Sequence, residues 1–135
     1  MVRSKTTYLG GKRTKIVHED SGSEISTSAP KDNEGDGLLF SPTDLVGAAL
    51  GSCILTTISI VAGRRQIEVS GASCEVTKEM QNSPRRIKSL PAIVHLPKNL
   101  SQEERGILER AGRACPVHAS LHPDIEADIS FVYDI

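Results

Sequence analysis

One uncharged stretch, Leu45 to Gly63, stands out from the alternation of apolar and polar positions along the chain. Ser41 suits a helix N-cap, Pro42 suits the first helical position, and Arg64 with Arg65 complements the dipole at the other end. The stretch is long enough for a membrane span, but its many glycine, serine and threonine residues favour a core helix. Because it is apolar on almost every side, we expect this helix to be buried on several sides.

Two glycines, Gly47 and Gly51, lie four residues apart and therefore share one face of the predicted helix. Their missing side chains allow another backbone to approach closely there. The approaching element is either the same helix of a second subunit or the chain's own sheet, and the spacing alone does not separate these interpretations.

Short mixed segments before the helix predict strands around Thr6–Leu9, Thr14–His18 and Glu24–Ser28, separated by glycine- and serine-rich turns. They predict an antiparallel meander. The following segment, Pro30–Gly37, has no apolar residue and predicts a surface loop, after which Leu38–Phe40 are expected to return to the core.

Alternating apolar and polar residues after the helix predict a strand over Glu68–Met80. A turn at Asn82–Pro84 leads to a second predicted strand, about Ile87 to Leu96, which Pro91 interrupts.

A capping box of Ser101 and Glu104 predicts a second, amphipathic helix that runs to about Ala114. The clean alternation over Ile125–Ile135 predicts a final strand. The element order is βββ-α-ββ-α-β, which indicates an α+β fold of antiparallel sheet and packed helices, in a single domain spanning residues 1–135.

The composition argues against several classes of function. Sixteen basic and seventeen acidic residues give a net charge of −1, and only four residues are aromatic, so neither an electrostatic footprint nor a stacking surface for nucleic acid is present. The N-terminus lacks the apolar segment of a secretory signal, and three cysteines cannot all pair within one chain. A reducing, cytoplasmic location is expected, with no membrane insertion.

Cys53 lies about three turns into the predicted helix, too far from its N-terminus for the dipole to activate a thiol. Without a positive neighbour from the tertiary structure it would be a buried, slow thiol that packs as a small apolar residue. Cys74, on the apolar face of a predicted strand, is interpreted in the same way and is assigned no function.

Cys115 opens a Cys-Pro-Val-His turn at the end of the second helix, where greater exposure is expected. It is either a half-buried turn residue, a reactive thiol, or a metal ligand together with His118 and His122. Zinc usually takes four ligands and no Cys-x-x-Cys pair accompanies these three, so no metal site is predicted.

Two motifs carry a resemblance to a known family: Ser-Pro-Thr-Asp-Leu-Val-Gly-Ala-Ala-Leu-Gly-Ser-Cys at 41–53 and Leu-Glu-Arg-Ala-Gly-Arg-Ala-Cys-Pro-Val-His at 108–118. With the element order, they resemble the OsmC/Ohr family, named for osmotically inducible protein C and organic hydroperoxide resistance protein. The resemblance implies a thiol peroxidase without a cofactor, built as an intertwined homodimer around a long buried central helix. Each active site would lie at the subunit interface, with an apolar pocket for organic hydroperoxides.

The resemblance also implies roles for individual residues. Cys53 would be the peroxidatic thiol and Cys115 the resolving thiol, and an external dithiol, of the lipoyl type in relatives, would restore the pair. The activating cation would follow the Gly10-Gly11 turn, where we choose Arg13 over Lys12 because a guanidinium stays charged when it is buried.

One position departs from the family pattern. Thr43 occupies the place of a glutamate that positions the arginine in the hydroperoxide-resistance branch, and a threonine cannot form that ion pair. If the adjacent Asp44 serves only the helix N-terminus, the arginine is held less firmly and peroxidase activity is weaker or differently selective. The chain therefore looks closer to the OsmC-like branch. His118, in the second motif, is a further candidate for a supporting residue of the site.

The sequence thus predicts a peroxidase that prefers organic hydroperoxides to hydrogen peroxide, because the surroundings of Cys53 are apolar. Two alternatives remain open at this point. One is a protein that binds an apolar or thiol-containing small molecule in the same pocket, and the other is a redox sensor in which a Cys53–Cys115 disulfide changes the dimer without efficient turnover.

Overall fold

The computed structural model describes all 135 residues and has an α+β architecture of eight strands and three α-helices. Internal contacts divide the chain into two compact units, residues 1–46 and 47–135, and the long helix begins in the first and continues through the second. The single domain over residues 1–135 stays a prediction.

The first unit is built on the predicted meander. Strands β1 (Ser4–Gly10), β2 (Arg13–His18) and β3 (Glu24–Ser28) form one antiparallel sheet in sequence order. The turn between β1 and β2 has three consecutive residues with positive φ, the third being Lys12 at 60°. Two glycines make this tight turn possible, because left-handed backbone costs glycine little.

The loop after β3 lies at the surface, as predicted. It contains a short 3₁₀ turn, Lys31–Asn33, and it is closed by backbone hydrogen bonds from Gly35 to Pro30 (2.9 Å) and from Gly37 to Ala29 (3.2 Å). The expectation that Leu38–Phe40 return to the core is wrong, because all three side chains are exposed in the chain. Three consecutive apolar residues are buried only where another part of the structure covers them, and nothing in the chain covers these.

Helix α1 (Pro42–Arg65) begins where the sequence predicts. The Asp44 N–H donates to Ser41 Oγ (3.1 Å) and the Ser41 N–H donates to Asp44 Oδ2 (2.8 Å), a reciprocal cap that satisfies two backbone donors. The helix is long and apolar enough to cross a bilayer, a criterion that the core helices of soluble proteins also meet.

Burial of α1 within the chain is confined to one face, so the prediction of burial on several sides is wrong for the chain by itself. The buried residues follow helical spacing: Gly47, Leu50, Gly51, Ile54, Ile58 and Ala62. The opposite face is uncharged yet exposed, and it consists mainly of small side chains: Ala48, Ala49, Ser52, Thr56, Ser59 and Gly63.

The two glycines of the buried face contact the chain's own strands. A Cβ built on Gly51 would lie 3.2 Å from Val76 Cγ2, and one built on Gly47 would lie 3.4 Å from Leu90 Cδ2. Of the two interpretations left open by the spacing, close packing on the chain's own sheet is the one observed.

Five strands follow α1: β4 (Ser73–Val76), β5 (Glu79–Gln81), β6 (Arg86–Ser89), β7 (Ala92–Leu96) and β8 (Ile129–Tyr133). They form a β4-β7-β8 sheet and a separate β5-β6 pair. The predicted interruption at Pro91 separates β6 from β7. The first predicted strand of this region begins later than expected, because Glu68 accepts hydrogen bonds from Ser70 and holds a turn there.

The final strand is shorter than the predicted Ile125–Ile135 segment, and it pairs parallel to β7 rather than antiparallel. A parallel pair requires a crossover connection, which here contains α2 (Gln102–Arg113) and an additional short helix, α3 (Pro116–Ser120). The capping box of Ser101 and Glu104 is present as predicted.

Polar and aromatic contacts hold α2 against β8. The Tyr133 hydroxyl donates to Glu109 (2.5 Å), and the Arg105 guanidinium stacks 4.0 Å from the centroid of the same ring. Arg113, the last residue of α2, donates from Nη1 to the Ile129 carbonyl (3.0 Å). These contacts fix the position of the C-terminal end of α2.

Gly112 is the point of closest approach in this layer. A Cβ at Gly112 would lie 3.1 Å from Phe131 Cζ and 3.2 Å from Ile58 Cδ1, so α2 meets both β8 and α1 there. Any larger residue would have to push these layers apart.

Replacing Gly112 by alanine is expected to destabilise the protein by about 1–3 kcal/mol, because the added methyl group overpacks the junction of α2, α1 and β8. Gly106 is the matched control in the same helix, where a Cβ has an ordinary contact of 3.5 Å with the Arg110 side chain. Gly106→Ala should instead stabilise by about 0.5–1 kcal/mol through helix propensity. Urea unfolding of both variants measures the difference, and equal effects would contradict the packing argument.

Candidate functional site

Cys53 lies on α1 at the border between the buried and the exposed face. It follows the buried Gly51 by two residues and precedes the buried Ile54, and its side chain is partly exposed. The thiol therefore combines apolar surroundings with access from outside, which a fully buried core cysteine lacks.

Cys115 is fully buried, with a relative exposure of 0%, so the prediction of greater exposure is wrong. The tertiary packing explains this. The Cys115 N–H bonds to the Gly112 carbonyl (3.3 Å), and Gly112 itself contacts Ile58 of α1, so the end of α2 is pressed into the interior. Cys115 then serves as the N-cap of α3, its sulfur accepting a hydrogen bond from the His118 N–H (3.5 Å).

The side chains of Cys53 and Cys115 are close enough for each thiol to influence the pKa of the other, in opposite directions. Burial raises the pKa of the Cys53 thiol, but hydrogen bonds from Cys115, the Val117 N–H and Thr57 together outweigh it, and the pKa lies below its ordinary value. Burial and the hydrogen bond to Cys53 raise the pKa of Cys115 above its ordinary value. Cys53 is therefore the more acidic thiol of the pair, and Cys115 is the one that keeps its proton to higher pH.

Besides Cys115, two uncharged groups that the sequence did not point to lower the pKa of Cys53: the Val117 N–H and the Thr57 hydroxyl. The Val117 backbone N–H is available because α3 leaves its first-turn donors unpaired. The Thr57 hydroxyl has one proton, which it donates either to the Cys53 carbonyl at 2.9 Å or to the sulfur, so its effect on the thiol is the smallest of the three.

Cys74 behaves as the core residue that the sequence predicts. Its sulfur lies 3.7 Å from the Cβ position of Gly51, against the buried face of α1. Burial, followed by the nearby Cys115 and Glu75, raises the pKa of the Cys74 thiol. It is therefore disfavoured as a nucleophile at neutral pH.

Both candidate cations, Arg13 and Lys12, are paired with the acidic loop after β3. Arg13 Nη2 lies 2.6 Å from Asp36 Oδ2, and Lys12 Nζ donates to the Glu34 carbonyl (2.8 Å) and lies 3.4 Å from its carboxylate. Sequence reasoning missed Asp36. The sequence did contain a signal for this pairing. The Gly-Gly-Lys-Arg turn is basic, and the Glu-Gly-Asp segment of the loop after β3 is acidic.

Thr43 and Asp44 lie in the first turn of α1. The Thr43 hydroxyl is 3.2 Å from Ser41 Oγ, and Asp44 forms the reciprocal cap with the same serine. Asp44 thus has the role at the helix N-terminus that the sequence suggested for it.

His118 is held by two hydrogen bonds. Its backbone N–H donates to the Cys115 sulfur, and its Nε2 donates to the Ala127 carbonyl (2.8 Å), which fixes the ring tautomer. His122 Nδ1 accepts from the Asp124 N–H (3.1 Å). The structure contains no group of three or more His, Cys, Asp or Glu side chains arranged to hold a metal ion.

A cavity of about 390 Å³ lies beside α3, between His118 and Asp128 along the chain. Its walls combine histidine, acidic and apolar side chains, and neither Cys53 nor Cys115 lines it. The apolar substrate pocket implied by the sequence resemblance is therefore not this cavity, and it stays a prediction.

Comparisons with known proteins agree with the fold and the motifs. The family model described as OsmC-like protein matches residues 35–130. A crystal structure of a proposed osmotic stress induced and detoxification response protein from Psychrobacter arcticus is 40% identical, with 98% of this chain and 96% of that chain covered and a TM-score of 0.91.

Two more distant structures share the fold. An organic hydroperoxide resistance protein OsmC from Legionella pneumophila is 19% identical, with 97% and 96% of the two chains covered and a TM-score of 0.73. A proposed organic hydroperoxide resistance protein from Vibrio cholerae, with captopril bound in one of its active sites, is 21% identical, with 96% and 90% covered and a TM-score of 0.71. No functionally curated protein matches the sequence.

The family model covers more than two thirds of the chain, and the Psychrobacter arcticus protein is similar over nearly the whole length. The chain has the OsmC-like α+β fold and belongs to the OsmC/Ohr family.

Proposed function

We propose that the protein is a two-cysteine peroxidase that reduces organic hydroperoxides, with Cys53 as the attacking thiol and Cys115 as the resolving thiol. Membership of the OsmC/Ohr family, which includes proteins named for organic hydroperoxide resistance, supports a peroxide-related role. The observation that carries the finer proposal is the pairing of a partly exposed Cys53 with a buried Cys115 close to it, their pKa values being displaced in opposite directions.

In the first step, the Cys53 thiolate attacks the terminal oxygen of the hydroperoxide, and the O–O bond breaks. The sulfur is oxidised to sulfenic acid, and the other oxygen leaves as an alcohol after taking up a proton. In the second step, Cys115 sulfur attacks the sulfenic sulfur, an S–S bond forms and water leaves with the Cys115 proton. An external dithiol then reduces the disulfide by exchange.

The contrast in exposure of the two cysteines supports this assignment of steps. Cys53 is partly exposed and can meet a substrate, whereas Cys115 is buried and is reached only by a sulfur that is already beside it. A resolving thiol with a raised pKa retains its proton until the sulfenic acid forms, which limits its own oxidation by peroxide.

The remaining features of the proposal come from the family resemblance. Arg13 would supply the cation that stabilises the Cys53 thiolate, with Lys12 as the alternative. A homodimer would complete the site, and the exposed, uncharged face of α1 gives it a surface to cover. A lipoyl-type dithiol would act as reductant in the cytoplasm, where free cysteines stay reduced.

A second candidate function, binding of a thiol-containing small molecule, is favoured by one comparison. The Vibrio cholerae relative holds captopril in one of its active sites. A binding protein would retain its ligand after Cys53→Ser, whereas a peroxidase would lose turnover with that variant.

Fully reduced protein treated with one equivalent of cumene hydroperoxide is expected to lose two hydrogen atoms, because a disulfide forms between adjacent thiols. Intact mass followed by peptide mapping should place the bond between Cys53 and Cys115. Cys115→Ser should instead accumulate sulfenic acid at Cys53, and Cys74→Ser should behave as the wild type. An unchanged mass of the wild-type protein would rule out the two-cysteine mechanism.

The pH dependence of Cys53 alkylation should show a midpoint below the ordinary thiol value of ~8.5, because hydrogen bonds stabilise its thiolate. Cys115→Ala removes the strongest of these donors, so the midpoint should move to higher pH. Cys74→Ala is the matched control, since Cys74 gives no hydrogen bond to Cys53, and it should leave the midpoint unchanged. Iodoacetamide labelling quantified by mass spectrometry measures all three proteins. A midpoint unaffected by loss of Cys115 would contradict the assigned roles.

A further inference from the structure

Arg13 of β2 forms an ion pair with Asp36 of the loop after β3. Nη2 and Oδ2 are 2.6 Å apart, and each side chain is 40% exposed. Two features separate this pair from an ordinary surface contact: the carboxylate has several other donors, and its loop is held in one shape. Without these features, an ion pair this exposed would contribute little to stability.

The Asp36 carboxylate is oriented by a backbone donor as well as by the arginine. Oδ1 accepts the Leu38 N–H at 3.0 Å, while Oδ2 faces the guanidinium. The hydrogen bond from Leu38, followed by that from Arg13 and a smaller one from Ser28, holds the pKa of Asp36 below its usual range. The carboxylate is therefore ionised at neutral pH, and its two oxygens have different partners.

The loop that carries Asp36 packs closely against Ala29, the residue that follows β3. A Cβ on Gly35 would lie 1.7 Å from the Ala29 carbonyl oxygen, so only glycine fits. The Ala29 N–H bonds to the Lys12 carbonyl (3.1 Å), and the Lys12 ammonium bonds to the Glu34 carbonyl (2.8 Å). Both basic residues of the β1-β2 turn are thus tied to one loop.

We propose that Asp36 is the positioning residue for Arg13, an inference that rests on the proposed role of Arg13 in the peroxidase. The loop fixes Asp36, Asp36 fixes one edge of the guanidinium, and the group retains further N–H donors for a thiolate or a peroxide oxygen. A guanidinium has five such donors, and the pair with Asp36 engages Nη2.

Asp36→Asn is the decisive variant, because loss of arginine positioning and loss of a negative charge would shift the Cys53 alkylation midpoint in opposite directions. Removing a negative charge alone would stabilise a thiolate and move the Cys53 alkylation midpoint to lower pH. Loss of a positioned arginine destabilises the thiolate, so the midpoint should rise by roughly half to one pH unit, with about three- to tenfold slower alkylation at pH 7.

Two further variants complete the design. Glu34→Gln removes a charge from the same loop without touching the Arg13 pair, and its midpoint should stay level or fall slightly. In an Arg13→Gln background, Asp36→Asn should produce no additional rise, because Asp36 acts through Arg13. Asp36→Glu keeps the carboxylate, so its Cys53 alkylation midpoint should lie closer to that of the wild type than the midpoint of Asp36→Asn does.

The outcomes separate this inference from the proposed function. A midpoint that falls or stays unchanged in Asp36→Asn, while the wild type still forms the disulfide, overturns the positioning role and leaves the peroxidase intact. If the wild type forms no disulfide, the Arg13 Nε–H resonance tests positioning without chemistry. Broadening of that resonance in Asp36→Asn but not in Glu34→Gln supports the role, and identical spectra overturn it.

Discussion

The approach of α2 to α1 at Gly112 controls where the second thiol lies. With no side chain at this position, the helix end packs directly on Phe131 and Ile58, and Cys115 follows one turn later with no exposure to solvent. The chain then turns into α3, whose first backbone N–H groups donate to the sulfurs of Cys115 and Cys53. One close packing contact therefore brings together both thiols and a donor that stabilises a thiolate.

Division of roles between the two thiols follows from asymmetric surroundings rather than from a strong charge. Cys53 accepts hydrogen bonds at the border of a helix face, while Cys115 is buried and donates. In a low-dielectric interior such a shared proton favours one charged sulfur over two. Cys74 shows the effect of burial without donors, since its pKa is raised although it lies in the same layer.

The acidic loop after β3 binds both basic residues that follow the β1-β2 glycine turn, through Glu34 and Asp36. Thr43 stands where the family resemblance leads one to expect a glutamate, and it interacts with the helix cap. The carboxylate that pairs with Arg13 is supplied instead by Asp36, from a loop whose shape depends on Gly35. The Arg13–Asp36 pair is a charge-assisted hydrogen bond between two segments of the chain, and its geometry depends on the shape of the loop.

The sequence by itself determined the local features: the caps at Ser41 and Ser101, the glycine turn before Lys12, the N-terminal meander and the interruption at Pro91. These depend on backbone propensities and side-chain to backbone hydrogen bonds within a few residues, which a sequence states directly.

Tertiary structure alone decided the burial of Cys115, the one-sided burial of α1, the parallel pairing of β8 with β7, and the partnership of Arg13 with Asp36. Each of these brings together residues that are far apart along the chain. Periodicity indicates which face of an element is apolar, but not which element covers it, and the environment of a thiol depends on that second fact.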